Sequence, residues 1–266
     1  MYDRYNRKIN YLRVSVTDKC NLRCYYCMPP GGVELLRYED ILSYEEITDT
    51  VRYAVGQGID KVRLTGGEPL IRRDIIKLVK MLSDIKGIKD LSMTTNGIFL
   101  KDYARDLANS GLDRVNVSLD TLDPEKYSRI TRGGDLLKAI EGVESAQREG
   151  LNPVKINTVV HKGFTEDDQR NLEDFCHRNG LELRLIREMD LNKGTFSVVE
   201  GGTGGDCRNC NRLRLTSDGR LKPCLFSNMG FDIRKLGKEK AFALALDRKP
   251  RKGGINTTCT FYRMGG

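Results

Sequence analysis

Six short runs rich in apolar and β-branched residues recur along the first 190 positions of the chain. Each run is five to seven residues long and is followed by polar or glycine-containing segments. Runs of this length and composition are typical of β-strands. They are YLRVSV (11–16), KVRLT (61–65), LSMTT (91–95), RVNVSLD (114–120), VKINTVV (154–160) and LELRLI (181–186).

The segments between these runs show the periodicity of amphipathic helices. After the first run, Ile47, Val51 and Val55 recur at helical spacing, and Ser43 with Glu46 forms an S-x-x-E capping box before them. The same apolar spacing predicts two further helices, one from about Asp74 and one from about Thr165, with inward-facing positions at Ile75, Leu78, Val79, Leu82, Leu172, Phe175 and Cys176.

Strands that alternate with helices predict right-handed βαβ units and a parallel sheet, so the fold class is α/β. Polar residues lie at or near the carboxyl ends of four of these strands. In parallel α/β folds these ends meet on the ligand-binding side. We therefore expect a functional site at this edge, with contributions from Thr65, Thr94, Asn96, Ser118 and Asp120.

The pattern changes after about residue 190. Residues 192–206 are rich in glycine and lack periodicity, which is typical of a linker or a mobile loop. A cysteine-containing segment follows, and then a helical stretch near LGKEKAFALAL. We therefore divide the chain into a barrel-like domain over residues 1–190 and a small C-terminal region over residues 191–266.

Composition limits the protein class. The chain has 266 residues, 39% hydrophobic and 31% charged, and no stretch approaches the ~20 apolar residues of a membrane span. Its first ten residues lack the apolar core of a signal peptide, so we expect a cytoplasmic protein without a membrane partner. In that reducing compartment, eight cysteines are expected to be metal ligands or buried apolar side chains rather than disulfides.

The formal net charge is +8, with 45 Lys and Arg against 37 Asp and Glu. Such a charge fits a solvated basic surface, a nucleic-acid partner or a small anionic substrate. No helix-turn-helix or RNP motif accompanies the basic residues, which include the late cluster DRKPRKGG. We therefore do not expect nucleic acid as a partner.

Three cysteines follow the first predicted strand with the spacing C-x3-C-x2-C, and they are Cys20, Cys24 and Cys27. Three thiolates leave one iron of a four-iron cluster without a protein ligand, so the spacing indicates a cluster that binds a further group. The alternative is zinc, which would need a fourth ligand from elsewhere. The chain has only two histidines, His161 and His177, and neither lies in a recognisable motif.

A second group of cysteines has the spacing C-x2-C-x13-C and consists of Cys207, Cys210 and Cys224. Again there is no clear fourth ligand, although Cys259 would complete a closed cluster or a zinc site. Arg212 and Arg214 lie two and four residues after Cys210. In an extended segment they point to the same side, where guanidinium groups are suited to phosphate.

The first triad, with Tyr26 before its last cysteine, and the later motif GGEP at residues 66–69 together resemble the radical S-adenosylmethionine (SAM) superfamily. The resemblance implies a partial (βα)6 TIM-like barrel with a small C-terminal iron–sulfur appendage. It also implies a 4Fe-4S cluster whose open iron binds SAM and an electron that cleaves SAM to a 5′-deoxyadenosyl radical.

The second triad, the segment NRLRLT-DG-LKPCLF and the C-terminal Gly-Gly make the chain similar to the GTP 3′,8-cyclase family of molybdenum cofactor biosynthesis. That resemblance implies a lyase with two 4Fe-4S clusters, one at each end of the barrel, and GTP as substrate. The radical would take hydrogen from C3′ of GTP, and C3′ would then attack C8 to give (8S)-3′,8-cyclo-7,8-dihydroguanosine 5′-triphosphate. An electron donor and a downstream cyclic-pyranopterin-forming protein are the implied partners, and a homodimer stays open.

The resemblance also implies roles for individual residues. Cluster ligands are Cys20, Cys24, Cys27, Cys207, Cys210 and Cys224. Residues that bind SAM are Tyr26, Gly66, Gly67, Glu68, Ser118 and Met189. Residues that bind GTP are Arg13, Arg63, Thr94, Lys155, Arg212 and Arg214, and the catalytic residues are Arg13, Gly265 and Gly266.

The chain departs from the family pattern in two places. The interval between Met189 and Cys207 is shorter, and Asp190 stands where the family usually has proline. An alternative is therefore an auxiliary-cluster radical SAM enzyme that acts on another nucleotide or a peptide. A non-catalytic metal-binding sensor of nucleic acid ranks last, because it gives the GGEP motif and the polar strand ends no role.

Overall fold

A computed structural model of the chain describes residues 1–29, 31, 33–257 and 264. The described residues form one sheet of nine strands and eight α-helices. The strands are β1 (Tyr11–Ser15), β2 (Lys61–Thr65), β3 (Asp90–Thr95), β4 (Arg114–Ser118), β5 (Lys155–Val160), β6 (Glu182–Arg187), β7 (Arg212–Leu215), β8 (Arg220–Lys222) and β9 (Phe231–Asp232). The helices are α1 (Tyr44–Gly56), α2 (Ile75–Ser83), α3 (Leu100–Asn109), α4 (Pro124–Thr131), α5 (Leu136–Arg148), α6 (Glu166–Arg178), α7 (Ile233–Leu236) and α8 (Lys238–Asp247).

The sheet has the order β6-β5-β4-β3-β2-β1-β7-β8-β9. The strands from β6 to β7 in this order are parallel, and β8 and β9 continue the sheet antiparallel. All six predicted strands are present within two residues of the predicted bounds, and helices connect them up to β6. The α/β class and the partial barrel are thereby confirmed; the sheet is open, because β6 and β9 do not pair with each other.

The predicted helix starts are also confirmed. The Ser43 hydroxyl accepts a hydrogen bond from the Glu46 amide, and the Glu46 carboxylate accepts one from the Ser43 amide. Thr165 and Asp168 form the same reciprocal cap at the start of α6. Such caps satisfy amides that the first helical turn leaves without partners. Phe175 is only partly buried on α6, whereas Cys176 lies in the core.

Side chains on the strands alternate between two environments. One face of the sheet carries apolar residues that pack against the helices in a continuous core, among them Leu12, Val14, Val62, Leu64, Met93 and Val117. The opposite face is polar. Parallel sheets are usually apolar on both faces, so a polar face indicates that the sheet curves around a solvent-filled or ligand-filled space.

The C-terminal region is continuous with the barrel, because β7 pairs directly with β1. The division into residues 1–190 and 191–266 stays a prediction. Among the described residues, no helix combines the length and apolar character needed to span a membrane.

Residues 192–206 differ from the predicted linker or mobile loop. Glu200 and Leu185 exchange backbone hydrogen bonds, which places the segment along the free edge of β6. Gly205, at a φ of +78°, comes so close to the Ser197 carbonyl that a Cβ there would lie 1.8 Å from its oxygen. The glycines thus allow a tight fold against the sheet rather than a free connection.

Candidate active site

The strand register brings polar side chains from seven strands onto the inner face of the sheet. Arg13 on β1 lies beside Arg63 on β2 and beside Arg214 on β7. Continuing along the sheet, the register places these polar inner residues side by side: Ser92, Thr94, Arg114, Asn116, Ser118, Lys155, Asn157, Glu182 and Arg184.

Part of this inner face lines a cavity of about 290 Å³, to which it contributes Arg13, Arg63, Arg114, Asn157, Arg184 and Arg214. Residues of the 192–206 segment form one wall of it, including Phe196 and Val199. Eight cationic side chains line the cavity against two acidic ones, Asp90 and Asp206. The cations are Arg13, Lys61, Arg63, Arg114, Arg184, Arg212, Arg214 and Lys249. An anionic ligand of several charges would balance this excess.

The electrostatics of the arginines reflect burial and mutual repulsion. Burial, and then the neighbouring Arg214, hold the pKa of Arg13 well below its usual value. Burial and the nearby Arg212 lower the pKa of Arg214 to about 10. Burial also lowers the pKa of Arg63. Burial therefore disfavours the positive charge of each arginine, and a bound anion would favour it.

Part of the inner face is already paired. Arg114 donates to Asp90 at 2.6 Å, and Lys155 forms an ion pair with Glu182. The Thr94 hydroxyl, by contrast, is buried without a hydrogen-bond partner among the described residues. A buried hydroxyl in that condition is available to a ligand.

The first cysteine triad lies in the loop that leaves β1. The amides of Cys27 and Met28 both donate to the Cys24 carbonyl at 2.9 Å, which folds the loop into a tight turn. Burial raises the pKa of the Cys20 thiol to about 11 and that of the Cys27 thiol to about 12, and it also raises the pKa of Cys24. Cys20 and Cys27 also raise the pKa of Cys24, and Cys20 raises that of Cys27, so the three thiols lie close together.

Gly66 and Gly67 hold the GGEP turn against this loop. The Gly67 amide donates to the Thr17 carbonyl and the Glu68 amide donates to the Lys19 carbonyl, both at 2.8 Å. A Cβ at Gly66 would lie 2.5 Å from the Thr17 oxygen, and a Cβ at Gly67 would lie 2.1 Å from the Lys19 oxygen. Only glycine permits these contacts, so the turn supports the chain immediately before Cys20.

The Glu68 carboxylate is buried and fully engaged. It accepts hydrogen bonds from the Leu70 amide at 3.0 Å, the Thr95 hydroxyl at 2.8 Å and the Asn96 amide at 2.7 Å. Burial raises its pKa to about 7. The side chain therefore fixes the end of β3, where Asn96 contacts the Cys20 sulfur at 3.9 Å.

A second buried carboxylate orients the cysteine loop from the other side. Asp120, just beyond β4, accepts a hydrogen bond from the Tyr26 hydroxyl at 2.6 Å and another from the Val159 amide at 2.8 Å. Burial raises the pKa of Asp120 to about 6. Tyr26 is thereby fixed between Cys24 and Cys27.

The second triad lines the inner cavity. Burial raises the pKa of Cys210, but the positive charges of Lys249 and Arg212 outweigh that effect and leave the pKa lowered. Burial raises the pKa of Cys224. A cationic setting stabilises the thiolates that a metal cluster requires.

The two triads lie at opposite ends of the same strands. The first follows the carboxyl end of β1. Cys207 and Cys210 precede β7, which is parallel to β1, so they lie at the amino end. Cys224 returns to that end because β8 runs antiparallel to β7. A five-residue strand is about 17 Å long, and the polar inner face spans this distance.

Both triads fit iron–sulfur clusters by their chemistry: each gathers three thiols, and the second adds adjacent cations. Within the described ranges, no three His, Cys, Asp or Glu side chains converge closely enough for a single metal ion. A four-iron cluster separates its ligands more widely and does not require that convergence. Gly265, Gly266 and Cys259 lie outside the described residues, whereas the buried Met264 accepts a hydrogen bond from Arg214 through its carbonyl at 3.3 Å.

Of the six residues predicted to bind GTP, Arg13, Arg63, Arg212 and Arg214 line this cavity, whereas Thr94 and Lys155 lie on the inner face outside its lining. Met189, predicted to bind SAM, lines this cavity instead. Tyr26, Ser118 and Glu68 were not assigned to this cavity from the sequence, and they do not line it. Sequence reasoning missed several lining residues: Lys61, Asp90, Arg114, Asn157, Arg184, Phe196 and Lys249. The strand residues among them could have been found from the sequence, because polar and apolar positions alternate strictly along these strands. Lys249 carried no such signal, because it lies in a run of basic residues.

Two family models match consecutive parts of the chain. The model of the radical SAM superfamily matches residues 14–176, and the model described as Molybdenum Cofactor Synthesis C matches residues 169–252. The first thus covers the strands from β1 to β5 and the second covers the second cysteine triad.

Curated relatives match nearly the whole chain. The GTP 3′,8-cyclase of Alkaliphilus oremlandii is 40% identical over 305 residues, covering 97% of this chain and 95% of the relative. The GTP 3′,8-cyclase of Thermodesulfovibrio yellowstonii is 40% identical over 282 residues, covering 89% and 88%. The first aligned region is longer than the 266 residues of this chain, so the A. oremlandii protein contains residues that this chain lacks.

Solved structures share the fold. Streptococcus suis SuiB bound to S-adenosylmethionine superposes with a TM-score of 0.68 at 18% identity, covering 94% of this chain and 68% of SuiB. Native anSMEcpe with bound AdoMet gives a TM-score of 0.62 at 16% identity, covering 87% and 80%. From the matching models, the relatives and the shared fold, this chain belongs to the radical SAM superfamily and, within it, to the GTP 3′,8-cyclase family.

Proposed function

We propose that the chain converts GTP to (8S)-3′,8-cyclo-7,8-dihydroguanosine 5′-triphosphate, the first step of molybdenum cofactor biosynthesis. The observation that carries the proposal is a strongly cationic cavity on the inner face of the sheet. The second cysteine triad lies at the amino end of the strands that form this face, and the first triad lies at their carboxyl end. The membership in the GTP 3′,8-cyclase family supports the same assignment.

The first triad would hold a 4Fe-4S cluster, which with SAM supplies a 5′-deoxyadenosyl radical when both are bound. The protein's contribution at this end is rigidity. The Gly66–Gly67 turn supports the loop before Cys20, and the Asp120 carboxylate accepts a hydrogen bond that orients the Tyr26 hydroxyl. Ser118 at the end of β4 and Met189 after β6 complete the proposed SAM contacts. Glu68 acts indirectly, because its carboxylate is occupied by three internal donors.

The inner arginines would bind the triphosphate. A triphosphate carries about four negative charges, and its transfer from water requires cations that replace the lost hydration. Arg13, Arg63, Arg212 and Arg214 provide them from three neighbouring strands. Guanidinium groups suit this task because they bind phosphate through two parallel hydrogen bonds.

Thr94 and Lys155 would orient the nucleoside. The Thr94 hydroxyl has no partner among the described residues and lies on the inner face, so it can bond to a substrate oxygen or nitrogen. Lys155 is held by Glu182, which fixes the direction of its ammonium group. The purine would reach the cluster of Cys207, Cys210 and Cys224.

We place the catalytic contacts at Arg13 and at the terminal Gly265 and Gly266. Met264, which precedes the two glycines in the sequence, is buried, and its carbonyl accepts a hydrogen bond from Arg214. In the cytoplasm, a one-electron donor would reduce the first cluster, and a cyclic-pyranopterin-forming protein would receive the product.

The proposal is tested by anaerobic reconstitution with iron and sulfide, followed by incubation with SAM, reductant and either GTP or ATP. We expect about eight irons per chain, 5′-deoxyadenosine formation and a cyclised product from GTP only. Cys24→Ala should abolish SAM cleavage, whereas Cys210→Ala should retain some cleavage but give no cyclised product. Cys176→Ala, which alters a buried cysteine of α6 outside both triads, is the matched control and should retain eight irons. A fully reconstituted wild-type chain that leaves GTP unchanged would refute the proposal.

A further inference from the structure

Lys249 is a buried cation within a run of exposed ones. In the segment DRKPRK, Arg248, Arg251 and Lys252 are exposed, whereas Lys249 retains only 1% of its accessible surface. A lysine side chain is almost never fully buried unless its charge is paired. Its position therefore requires an explanation.

The ammonium group of Lys249 joins the segments that carry the second cysteine triad. It donates to the Arg212 carbonyl at 2.6 Å and to the Pro223 carbonyl at 2.7 Å. Arg212 lies two residues after Cys210, and Pro223 immediately precedes Cys224. Lys249 also lines the inner cavity together with Cys207, Cys210 and Cys224. Two of the three N–H donors of the ammonium group are thus bonded to carbonyls next to cysteines of the triad.

The backbone after Lys249 is held in place from the opposite side. The Arg7 guanidinium donates to the Cys207 carbonyl at 2.6 Å and to the Pro250 carbonyl at 2.8 Å. Arg7 is in turn paired with Asp3. The N-terminal segment therefore fixes Lys249 and the remaining cysteine of the triad relative to each other.

No acidic side chain neutralises Lys249. Among the ion pairs formed by the described residues, none includes it. Two neutral carbonyls solvate the ammonium group but leave its charge uncompensated, which is costly in a buried setting. An oxidised 4Fe-4S cluster held by three thiolates would carry about one negative charge, and Cys207, Cys210 and Cys224 would hold it in the cavity that Lys249 also lines.

We propose that Lys249 is a positioning residue of the second cluster: its ammonium group is the counter-ion of the group held by Cys207, Cys210 and Cys224, and it raises the reduction potential of that cluster. This inference rests on the proposed function only in that the second triad holds a 4Fe-4S cluster. Net charge and hydrogen bonds to sulfur are among the main determinants of cluster potentials. A neighbouring positive charge favours the reduced, more negative state.

The experiment uses the full chain with Cys20, Cys24 and Cys27 replaced by alanine, so that only the second cluster is present. Lys249→Gln removes the charge but retains an N–H donor, Lys249→Arg retains the charge, and Lys252→Met alters an exposed lysine as the control. Each protein is reconstituted anaerobically, and the midpoint potential is measured by a redox titration followed by electron paramagnetic resonance. The rate of iron loss to a chelator is measured in parallel.

We expect Lys249→Gln to make reduction of the second cluster at least tenfold less favourable, which for one electron is a midpoint potential about 59 mV more negative. A rate of iron loss at least tenfold higher than that of the parent would equally support the inference. Lys249→Arg and Lys252→Met should stay within threefold of the parent protein. A parent-like potential and iron loss in Lys249→Gln would overturn the inference. If Lys249→Gln does not fold, Lys249→Arg provides the test. A tenfold change in its reduction equilibrium or in its rate of iron loss would show that charge is not the determinant and would overturn the inference. Failure of the parent to bind four irons would instead contradict the cluster assignment, and hence the proposed function.

Discussion

Gly67→Ala should disrupt the first cysteine site without any change to a cysteine. The new Cβ would lie 2.1 Å from the Lys19 oxygen and 2.5 Å from its carbonyl carbon, where ordinary contact begins at 3.4 Å. Backbone atoms cannot rotate away, so the turn and the loop must separate by about 1 Å. Separation breaks the two hydrogen bonds that join them. Two hydrogen bonds contribute roughly 1 to 3 kcal/mol and overpacking costs about as much, so we expect a loss of about 2 to 6 kcal/mol.

Urea unfolding of the metal-free chain measures this loss, and iron counting after reconstitution measures its effect on the site. Because Lys19 precedes Cys20, we expect the first cluster to be lost and about four irons to remain on the second triad. Gly56→Ala is the matched control. Gly56 is exposed at the end of α1 with no atom within 4 Å of a new Cβ, so alanine there should stabilise the chain by up to about 1 kcal/mol. A Gly67→Ala chain that unfolds at the wild-type urea concentration and binds eight irons would contradict this prediction.

Three further outcomes follow from the site. Arg13→Met should raise the urea midpoint of the ligand-free chain, because it removes a buried charge beside Arg214. In calorimetry it should weaken GTP binding roughly 10- to 150-fold, the equivalent of one charged hydrogen bond. A lower urea midpoint, or an unchanged affinity for GTP, would contradict this prediction. Burial raises the pKa of Asp120 from 3.8 to about 6, so the folded state binds the extra proton and loses about 3 kcal/mol of stability in all as pH rises from below about 3.8 to above about 6; Asp120→Asn should abolish that part of the pH dependence in urea titrations. Met264→Ala should retain eight irons and GTP binding but reduce cyclised product, since Met264 is buried in a small apolar cluster and directly precedes Gly265 and Gly266 in the sequence; Met229→Ala, at an exposed position, should leave product formation unchanged.

Much of the fold is local in origin and could be predicted for that reason. The capping boxes at Ser43 and Thr165 need only residues three positions apart, and the strand runs need only short-range periodicity. The cysteine spacings are equally local. The polar inner face could also have been inferred, because parallel strands with a polar residue at every second position are unusual.

Other parts of the site depend on contacts between distant segments. Residues 192–206 are glycine-rich because they fold closely against β6 and themselves, which composition alone does not distinguish from a flexible linker. Lys249 resembles its exposed neighbours in sequence, and its burial follows from carbonyls at Arg212 and Pro223 that lie 37 and 26 residues away. Neither property has a local signature.

The sheet itself explains why the two predicted regions form one site. Arg13 belongs to the first region and Arg214 to the second, yet β1 and β7 pair in a register that places them side by side. Their charges repel each other, and this repulsion lowers the pKa of Arg13. Strand pairing and the apolar packing of Leu12, Leu213 and Leu215 on the opposite face hold the arginines together against it. Because the cationic side chains that line the cavity come from both regions, an anion bound there would stabilise their association, and neither region alone carries the whole positive lining.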